Sequence, residues 1–439
     1  MKFSQSLRQT IFEARNNPGF TALYIGGVAF AVAFTMVYAI IYYVRLASVY
    51  PEYNRDTTLL IKSISLKSTE NSSQSMSSIG LTFINGYLEG LENKEYLSVT
   101  GHPEETFVQP VDGSSDIRIV YRETDPNFFK LYEYEFLGGR CFSTEEFEAG
   151  IQSAVISSDL ASRLYGGVEE ALGKDISIDY RNFKIVGVVR PGSSIFDNSF
   201  AQAFIPYTSS KSYSKAPYNI SNTQEFLGEY FVNVKLKDSE QEKDFRNELD
   251  DMLRRINAAD TTGWNTSLPS VETNVESVFQ VENDEDGKNF MNALKPYLIL
   301  LVVLLMIPAI NISGMIGGQM DRRMDEMGLR RSFGASKREL CRQVMFENLL
   351  LTLAGGVVGL IIAWIVMYTC KSWILGLISE RWHYLGNIVE TEVTSEMLFA
   401  PAVFIGALLI CMVLNLLSAY MPVKLALRKP IVSSINVKK

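Results

Sequence analysis

The sequence predicts an α-helical membrane protein with four transmembrane helices and a large α/β domain between the first and second of them. Three observations carry this: four long uncharged apolar runs, unequal charge in the segments joining them, and strand and helix patterns in the one long connection. The runs are Gly19–Val44, Pro296–Gln319, Leu349–Cys370 and Met397–Pro422. Each exceeds the roughly 20 apolar residues a helix needs to cross about 30 Å of hydrocarbon. Where no water reaches the backbone, such a run must close its own hydrogen bonds as a helix. Burial in a soluble core accounts for one run of this kind but not for four.

Lys2, Arg8 and Arg15 precede the first run, as they would in a cleaved signal peptide. The run is longer than the roughly 7–15 apolar residues such peptides use, so it reads as a retained anchor. Ahead of it, SQSLRQTIFEARNN (4–17) places Leu7, Ile11 and Ala14 on one stripe, a pattern for a helix lying on the membrane surface and turning at Pro18. Seven basic residues lie between Arg322 and Arg342, and Lys424, Arg428, Lys429, Lys438 and Lys439 follow the last run. The connection between the third and fourth runs holds only Lys371 and Arg381 against four glutamates. The positive-inside rule therefore puts both termini and the basic connection in the cytoplasm.

The formal charge of −8 conceals this segregation: Arg45–Asn289 carries 39 acidic and 23 basic residues, and the rest of the chain 10 and 18. An acidic outer domain and a basic inner face argue against nucleic acid as a partner. Of the four cysteines only Cys141 is in the outer domain, so no disulfide forms within it, and the domain depends on its apolar core. His102 and His383 are far apart with no cysteine near either, which argues against zinc.

The outer segment alternates strand and helix patterns. Thr58–Leu66, Ile79–Leu91 and Tyr96–Thr100 form one βαβ-type unit, and Tyr230–Leu236, Ser239–Ile256 and Val271–Val278 form a second. Together they predict a subdomain built from both ends of the segment, with a mostly β subdomain inserted at about 117–218. Thr208–Thr223 reads as a mobile loop, and the charged turn Asn283–Lys288 leads into the second span as a stem.

Enzyme motifs are largely missing. GGVEEALGKDI (166–176) has the wrong spacing for a phosphate-binding loop and Asp175 in place of the hydroxyl residue. SGMIGGQ (313–319) lies in an apolar run, where small residues favour helix packing. With two distant histidines, no Ser-His-Asp grouping is visible. No catalytic, cofactor-binding or metal residue is expected on this chain.

The basic stretch EMGLRRSFGASKREL (326–340) is the most informative segment. Asp321–Phe333 has helical spacing with Met324, Met327, Leu329 and Phe333 apolar, Gly334 supplies a left-handed stop, and Ser336 with Glu339 forms a capping box. The pattern predicts a rigid knob at the base of a membrane helix, suited to a protein partner. Topology and contact with anionic membrane lipid form the alternative account of its charge. Within the third run, Gly355 and Gly359 read as a helix-packing pair or as a flexible point. Asn311, Ser313, Thr352, Asn415 and Ser418 are the main polar residues in the runs, and Pro308 predicts a kink.

The same stretch resembles the coupling segment of the FtsX/MacB-type ABC transporter permeases, matching at Glu326, Gly328, Arg330, Arg331, Gly334, Ala335, Ser336, Arg338 and Glu339. NPGFTALYIGG (17–27), DPNFFKLYEYEFLGGRCFS (125–143), AVISSDLASRLYGG (154–167) with GKDI, and YMPVKLALRKPI (420–431) agree in order. The resemblance implies an inner-membrane protein divided into a cytoplasmic amphipathic helix (1–18), a first span (19–44), a MacB-like periplasmic core domain (45–295), a second span (296–319), a coupling segment (320–344), a third span (345–370), a periplasmic loop (371–396), a fourth span (397–422) and a cytoplasmic tail (423–439). It implies that Glu326, Met327, Gly328, Leu329, Arg330, Arg331, Phe333, Gly334, Ala335, Ser336 and Lys337 dock a cytoplasmic ABC ATPase, which binds the ATP and magnesium. In MacB an ATPase domain is fused ahead of the first span; here the expectation is a separate chain. A second permease copy or homologue is implied as well, with ATP-driven movement passed to the periplasmic domain, a mechanism called mechanotransmission. Two functions follow: export of a periplasmic substrate such as an antibiotic, peptide or lipoprotein, with a periplasmic adaptor and outer-membrane channel, or FtsX-like regulation of a cell-wall hydrolase or signalling partner without transport.

Overall fold

The computed structural model describes residues 3–110, 113, 116–213, 222–281, 283–284, 287–288, 290–376, 397 and 401–428. Contacts divide it into two units: Met1–Val44 with Leu294–Ile374 and Ser395–Lys439, and Arg45–Ala293 with Leu375–Thr394. The expected periplasmic loop beyond Gly376, residues 214–221 of the Thr208–Thr223 loop, parts of the charged turn at 283–288 and the tail beyond Arg428 lie outside the described residues, as do the side chains of Pro308 and Asn311.

The first unit is helical. A helix over Phe3–Asn16 stops before Pro18, which begins the next helix, Pro18–Leu46; a proline at the first helical position forfeits no hydrogen bond. Among the described residues three helices are long and apolar enough to cross a membrane: Pro18–Leu46, Lys337–Lys371 and Pro401–Leu427. The second expected span lies on a helix over Phe290–Arg322, whose apolar described stretch is the shorter Phe290–Leu304. The third helix runs on to Gly376, past the end expected at residue 370, and the last extends to Arg428. Val28, Val32, Met36, Ile316, Met320, Leu340, Val344, Ala363, Ala407 and Ala419 form the shared core. Ile299, Val302, Ile361, Ile365, Ile405, Leu409 and Leu417 are exposed, the surface a hydrocarbon environment covers at no cost.

The second unit is α/β. Strand Thr58–Ile61 pairs antiparallel with both Tyr230–Lys235 and Val271–Thr273, and Tyr230–Lys235 pairs in turn with Tyr96–Gly101. Each of the two expected βαβ units is therefore split, its two strands parallel but separated by a strand of the other unit. Thr58–Leu66, expected as one strand, is two, Thr58–Ile61 and Ile64–Ser68, and the second forms a hairpin with Gln74–Ile79. Val271–Val278 is likewise divided: a strand to Thr273 and then a helix Asn274–Val278, started by the capping box of Thr273 and Glu276. The long helix Glu242–Ala259 buries Phe245, Leu249, Met252 and Ile256 against Leu59, Ile61, Val232 and Val234 of these strands.

The inserted part closes on itself. In pairing order, Glu104–Pro110, Ile117–Thr124, Ala203–Pro206, Ser153–Ser157, Arg181–Val189 and Asp175–Ile178 form a six-membered ring of strands. Two pairings in it are parallel, Ala203–Pro206 with Ile117–Thr124 and Ser153–Ser157 with Arg181–Val189. Val108, Ile119, Ile156, Ile176, Phe183, Ile185 and Ile205 fill its core. The ring takes in Glu104–Pro110, ahead of the start expected at about 117, and this part carries short helices such as Ser158–Tyr165 as well as strands.

Candidate functional site

The segment that joins the helices Phe290–Arg322 and Lys337–Gly376 is a helix, Met324–Ser332, bounded by two tight turns. Asp321–Phe333 was expected as one helix, but the chain breaks at Arg323, whose amide donates to the carbonyls of Gln319 and Met320 at 3.1 and 3.2 Å. At the other end Gly334 takes φ +95°, a left-handed conformation that side chains with a Cβ resist. The Gly334 amide donates to the Arg331 carbonyl and the Ala335 amide to the Arg330 carbonyl, each at 3.1 Å. This pair of bonds is a Schellman stop. The next helix opens at once: the Glu339 amide donates to Ser336 Oγ at 3.2 Å, and the Ser336 amide donates to Glu339 Oε2 at 3.0 Å. Stop and start share a few residues, which leaves the backbone between the helices few free torsions.

Side chains lock the segment further. Met324 and Met327 are buried in the helical core with Leu340 and Val344. A closed polar ring ties the same segment to the next helix. Arg323 Nη1 meets Glu347 Oε2 at 2.7 Å; Gln343 Nε2 donates to Glu347 Oε1 at 3.0 Å; Arg330 Nη1 donates to Gln343 Oε1 at 3.0 Å. Arg330 Nη2 meets Glu326 at 2.6 Å, and Glu326 returns to Arg323 Nε at 3.6 Å. Arg323 and Glu347 are less than a tenth exposed, so the ring is partly inside the protein, where charge pairs are weakly screened. Arg323, Gln343 and Glu347 were not singled out from the sequence. The available signal was the i, i+4 spacing of Gln343 and Glu347 on the buried face of a helix ahead of an uncharged run.

The opposite face is open. Phe333 is 84 % exposed and Leu329 57 %, and Ser332, Gly334, Ser336 and Lys337 are exposed around them. Of the eleven docking residues expected from the sequence, Met327 and Gly328 are buried, Glu326, Arg330, Arg331 and Ala335 are half-buried, and Leu329, Phe333, Gly334, Ser336 and Lys337 form the exposed surface.

Gly355 and Gly359 face the first membrane helix. A Cβ at Gly355 would lie 2.7 Å from Val28 Cβ, and one at Gly359 would lie 2.5 Å from the Ala29 carbonyl. One turn away, the Tyr24 hydroxyl is 3.1 Å from Thr352 Oγ1. Asn415 is buried too.

A family model described as the MacB-like periplasmic core domain matches residues 21–252, more than half of the chain, and one described as the FtsX-like permease C-terminal matches 298–431. The chain belongs to the MacB/FtsX family of ABC transporter permeases. It is 23 % identical over 266 residues to a macrolide export ATP-binding/permease protein, MacB, of Shewanella sp. (strain ANA-3), covering 58 % of this chain and 36 % of that protein. It is 22 % identical over 327 residues to the pyoverdine export ATP-binding/permease protein PvdT of Pseudomonas fluorescens, covering 74 % and 44 %. The chain thus spans less than half the length of these curated relatives. The periplasmic region of MacB from Actinobacillus actinomycetemcomitans gives a slight structural likeness, with TM-score 0.35 and 11 % identity over 50 % of this chain and 91 % of that one. The six-strand ring lies within the residues matched by the MacB-like periplasmic core domain model, as do the strands of the split sheet apart from Val271–Thr273.

Titrating groups in the MacB-like domain serve its architecture. The DPNFF stretch places Asp125 at the head of the short helix Phe128–Leu131, where its carboxylate accepts from the Ser98 hydroxyl and the Val99 and Phe128 amides at 2.9, 3.1 and 3.0 Å. Burial outweighs these bonds and pushes the Asp125 carboxyl up to about 7. Burial, reinforced by Glu104 and Glu229 against the Ser210 hydroxyl and Arg181, pushes Glu123 up to about 7 as well. Glu146 goes the other way, to about 2, chiefly because Arg140 donates to both its oxygens at 2.7 Å. Cys141, a free thiol, is pushed up to about 12 by burial and is a poor nucleophile there.

Proposed function

We propose that the chain is the permease component of an ATP-driven transporter, in which the knob from Glu326 to Lys337 docks a cytoplasmic ABC ATPase. The observation that carries this reading is the combination of Phe333, almost fully exposed, with a backbone held by a Schellman stop, a capping box and a closed polar ring. An exposed aromatic on a rigid mount is what a docking anchor requires, since little entropy is lost on binding. A push on Phe333 reaches the helix Lys337–Gly376 through Arg330–Gln343 and Arg323–Glu347 rather than dissipating in a loose loop.

In this reading four helices cross the inner membrane, the second on Phe290–Arg322, with both termini cytoplasmic. Two permease copies pair with two ATPases, which hold the ATP and magnesium, and closure of the ATPases moves the periplasmic domains by mechanotransmission. The two curated relatives are both named as exporters, which supports export of a periplasmic substrate, with a periplasmic adaptor and outer-membrane channel as further partners. The test is purification from native membranes with identification of the co-purifying chains. An ABC ATPase that accompanies the intact protein and is lost from Phe333→Asp supports the reading. Retention of the ATPase by that variant refutes docking through the knob, and a co-purifying hydrolase without an export channel turns the assignment to regulation.

A further inference from the structure

We propose that the groove between the start of the helix Lys337–Gly376 and the end of the helix Pro401–Arg428 holds the phosphate headgroup of an anionic glycerophospholipid. The groove measures about 920 Å³, within the roughly 300–1,000 Å³ of small-molecule sites. Four cations line it: Lys337, Arg338 and Arg342 from one helix and Lys424 from the other. Among the described residues none of the four has a carboxylate within ion-pair distance. The one acid in the lining, Glu339, is engaged by its own helix cap, accepting from the Ser336 amide and hydroxyl at 3.0 and 2.9 Å. Four exposed cations with one carboxylate, Glu339, beside them carry excess positive charge and repel one another, and an anion placed among them relieves that repulsion.

The rest of the lining selects the class of anion. Tyr420, Met345 and Leu427 give the groove an apolar side, and the Tyr420 ring lies 5.3 Å from Lys424 Nζ, holding the ammonium over its face. Both helices carry uncharged apolar runs adjoining the groove in sequence, Leu349–Cys370 and Met397–Pro422. Leu417, Met421 and Leu425 are exposed along the same helix as Tyr420. A soluble phosphate has no use for such a surface; a lipid sets its phosphate on the cations and its acyl chains along the apolar side. The groove shares Ser336 and Lys337 with the exposed knob, whereas Arg342 and Lys424 lie outside it and can be varied apart from ATPase docking.

The test uses the full chain in mild detergent, supplied with phosphatidylglycerol or phosphatidylcholine and read by native mass spectrometry and thermal unfolding. Phosphatidylglycerol is expected to be retained preferentially and to raise the unfolding temperature. Arg342→Gln with Lys424→Gln should lower that retention about tenfold or more, given what each basic residue contributes at an anionic surface. Arg342→Lys with Lys424→Arg should keep it, which separates loss of charge from loss of fold. Equal retention of the two lipids, or unchanged retention by the Gln pair, overturns the proposal. Displacement of the lipid by millimolar inorganic phosphate reassigns the groove to a soluble anion. Loss of a co-purifying protein from the Gln pair with lipid binding intact makes it a protein surface instead.

Discussion

Arg323 and Glu347 meet at 2.7 Å with both side chains buried, so the turn after one helix is tied to an early turn of the helix Lys337–Gly376 by a charge pair that water barely reaches. Each is the other's main compensation for leaving water. Removing one partner is therefore more damaging than removing both.

Glu347→Ala removes the shortest ion pair of the buried Arg323 and leaves Glu326 at 3.6 Å, and the expected loss is about 3 kcal/mol, the low end for breaking a buried pair. The double replacement Arg323→Met with Glu347→Leu removes both charges and should recover most of that loss. Thermal unfolding of the full chain in detergent checks the order: the single variant well below the parent, the double close to it.

Gly334 stands at φ +95° in the Schellman stop. Gly334→Val forces a β-branched residue into the left-handed region and should cost about 1–2 kcal/mol or unwind the stop. Gly334→Asn, which tolerates that conformation, should cost less. Comparison of unfolding temperatures for the two variants measures the difference.

Gly359 lies where a Cβ would press on Ala29 and Val32, whereas Gly318 has nothing within 4 Å of such an atom. Gly359→Ala should destabilise by about 1–3 kcal/mol through overpacking. Gly318→Ala, in open space on a helix, should be neutral or slightly stabilising. The same unfolding measurement decides the comparison.

Asp125 and Glu123 bring opposite pH behaviour from Glu146. Both carboxyls are raised to about 7, so the folded chain binds more protons than the unfolded one between the usual carboxylate range and pH 7. Their contribution to stability therefore falls as pH rises through that window and levels off above it. Glu146, lowered to about 2, contributes stability that is present above its unfolded value and lost as pH falls toward 2. Glu123→Gln should flatten the decline between pH 5 and 7, and Glu146→Gln should flatten the loss at the acid end. Unfolding temperature against pH for each variant and the parent shows which window each group controls.

Much of the helical framework was legible because uncharged runs, capping residues and Gly334 act locally. Ser336 and Glu339 are adjacent on a helix turn, so their cap could be read from spacing alone. The polar ring was not, since Arg323 and Glu347 are brought together only when two helices pack, and neither has a local pattern that names its partner. The same limit applies to the sheet. Strand periods in Thr58–Ile61 and Tyr96–Gly101 were visible, but the insertion of Tyr230–Lys235 between them is a long-range pairing. Closure of the strand ring depends likewise on Ala203–Pro206 finding Ile117–Thr124. Within the docking segment, helical spacing marked Met324, Met327, Leu329 and Phe333 as one apolar set; packing sends the two methionines inward and leaves Leu329 and Phe333 outside.

The most direct measurement of the central claim is photo-crosslinking in cells from a benzoylphenylalanine placed at Phe333, with the same probe at Tyr180, 83 % exposed in the MacB-like domain, as control. The account predicts an adduct between the probe at 333 and an ABC ATPase chain, and none from 180. No ATPase adduct from 333, or equal adducts from both positions, would contradict docking of the ATPase on this knob.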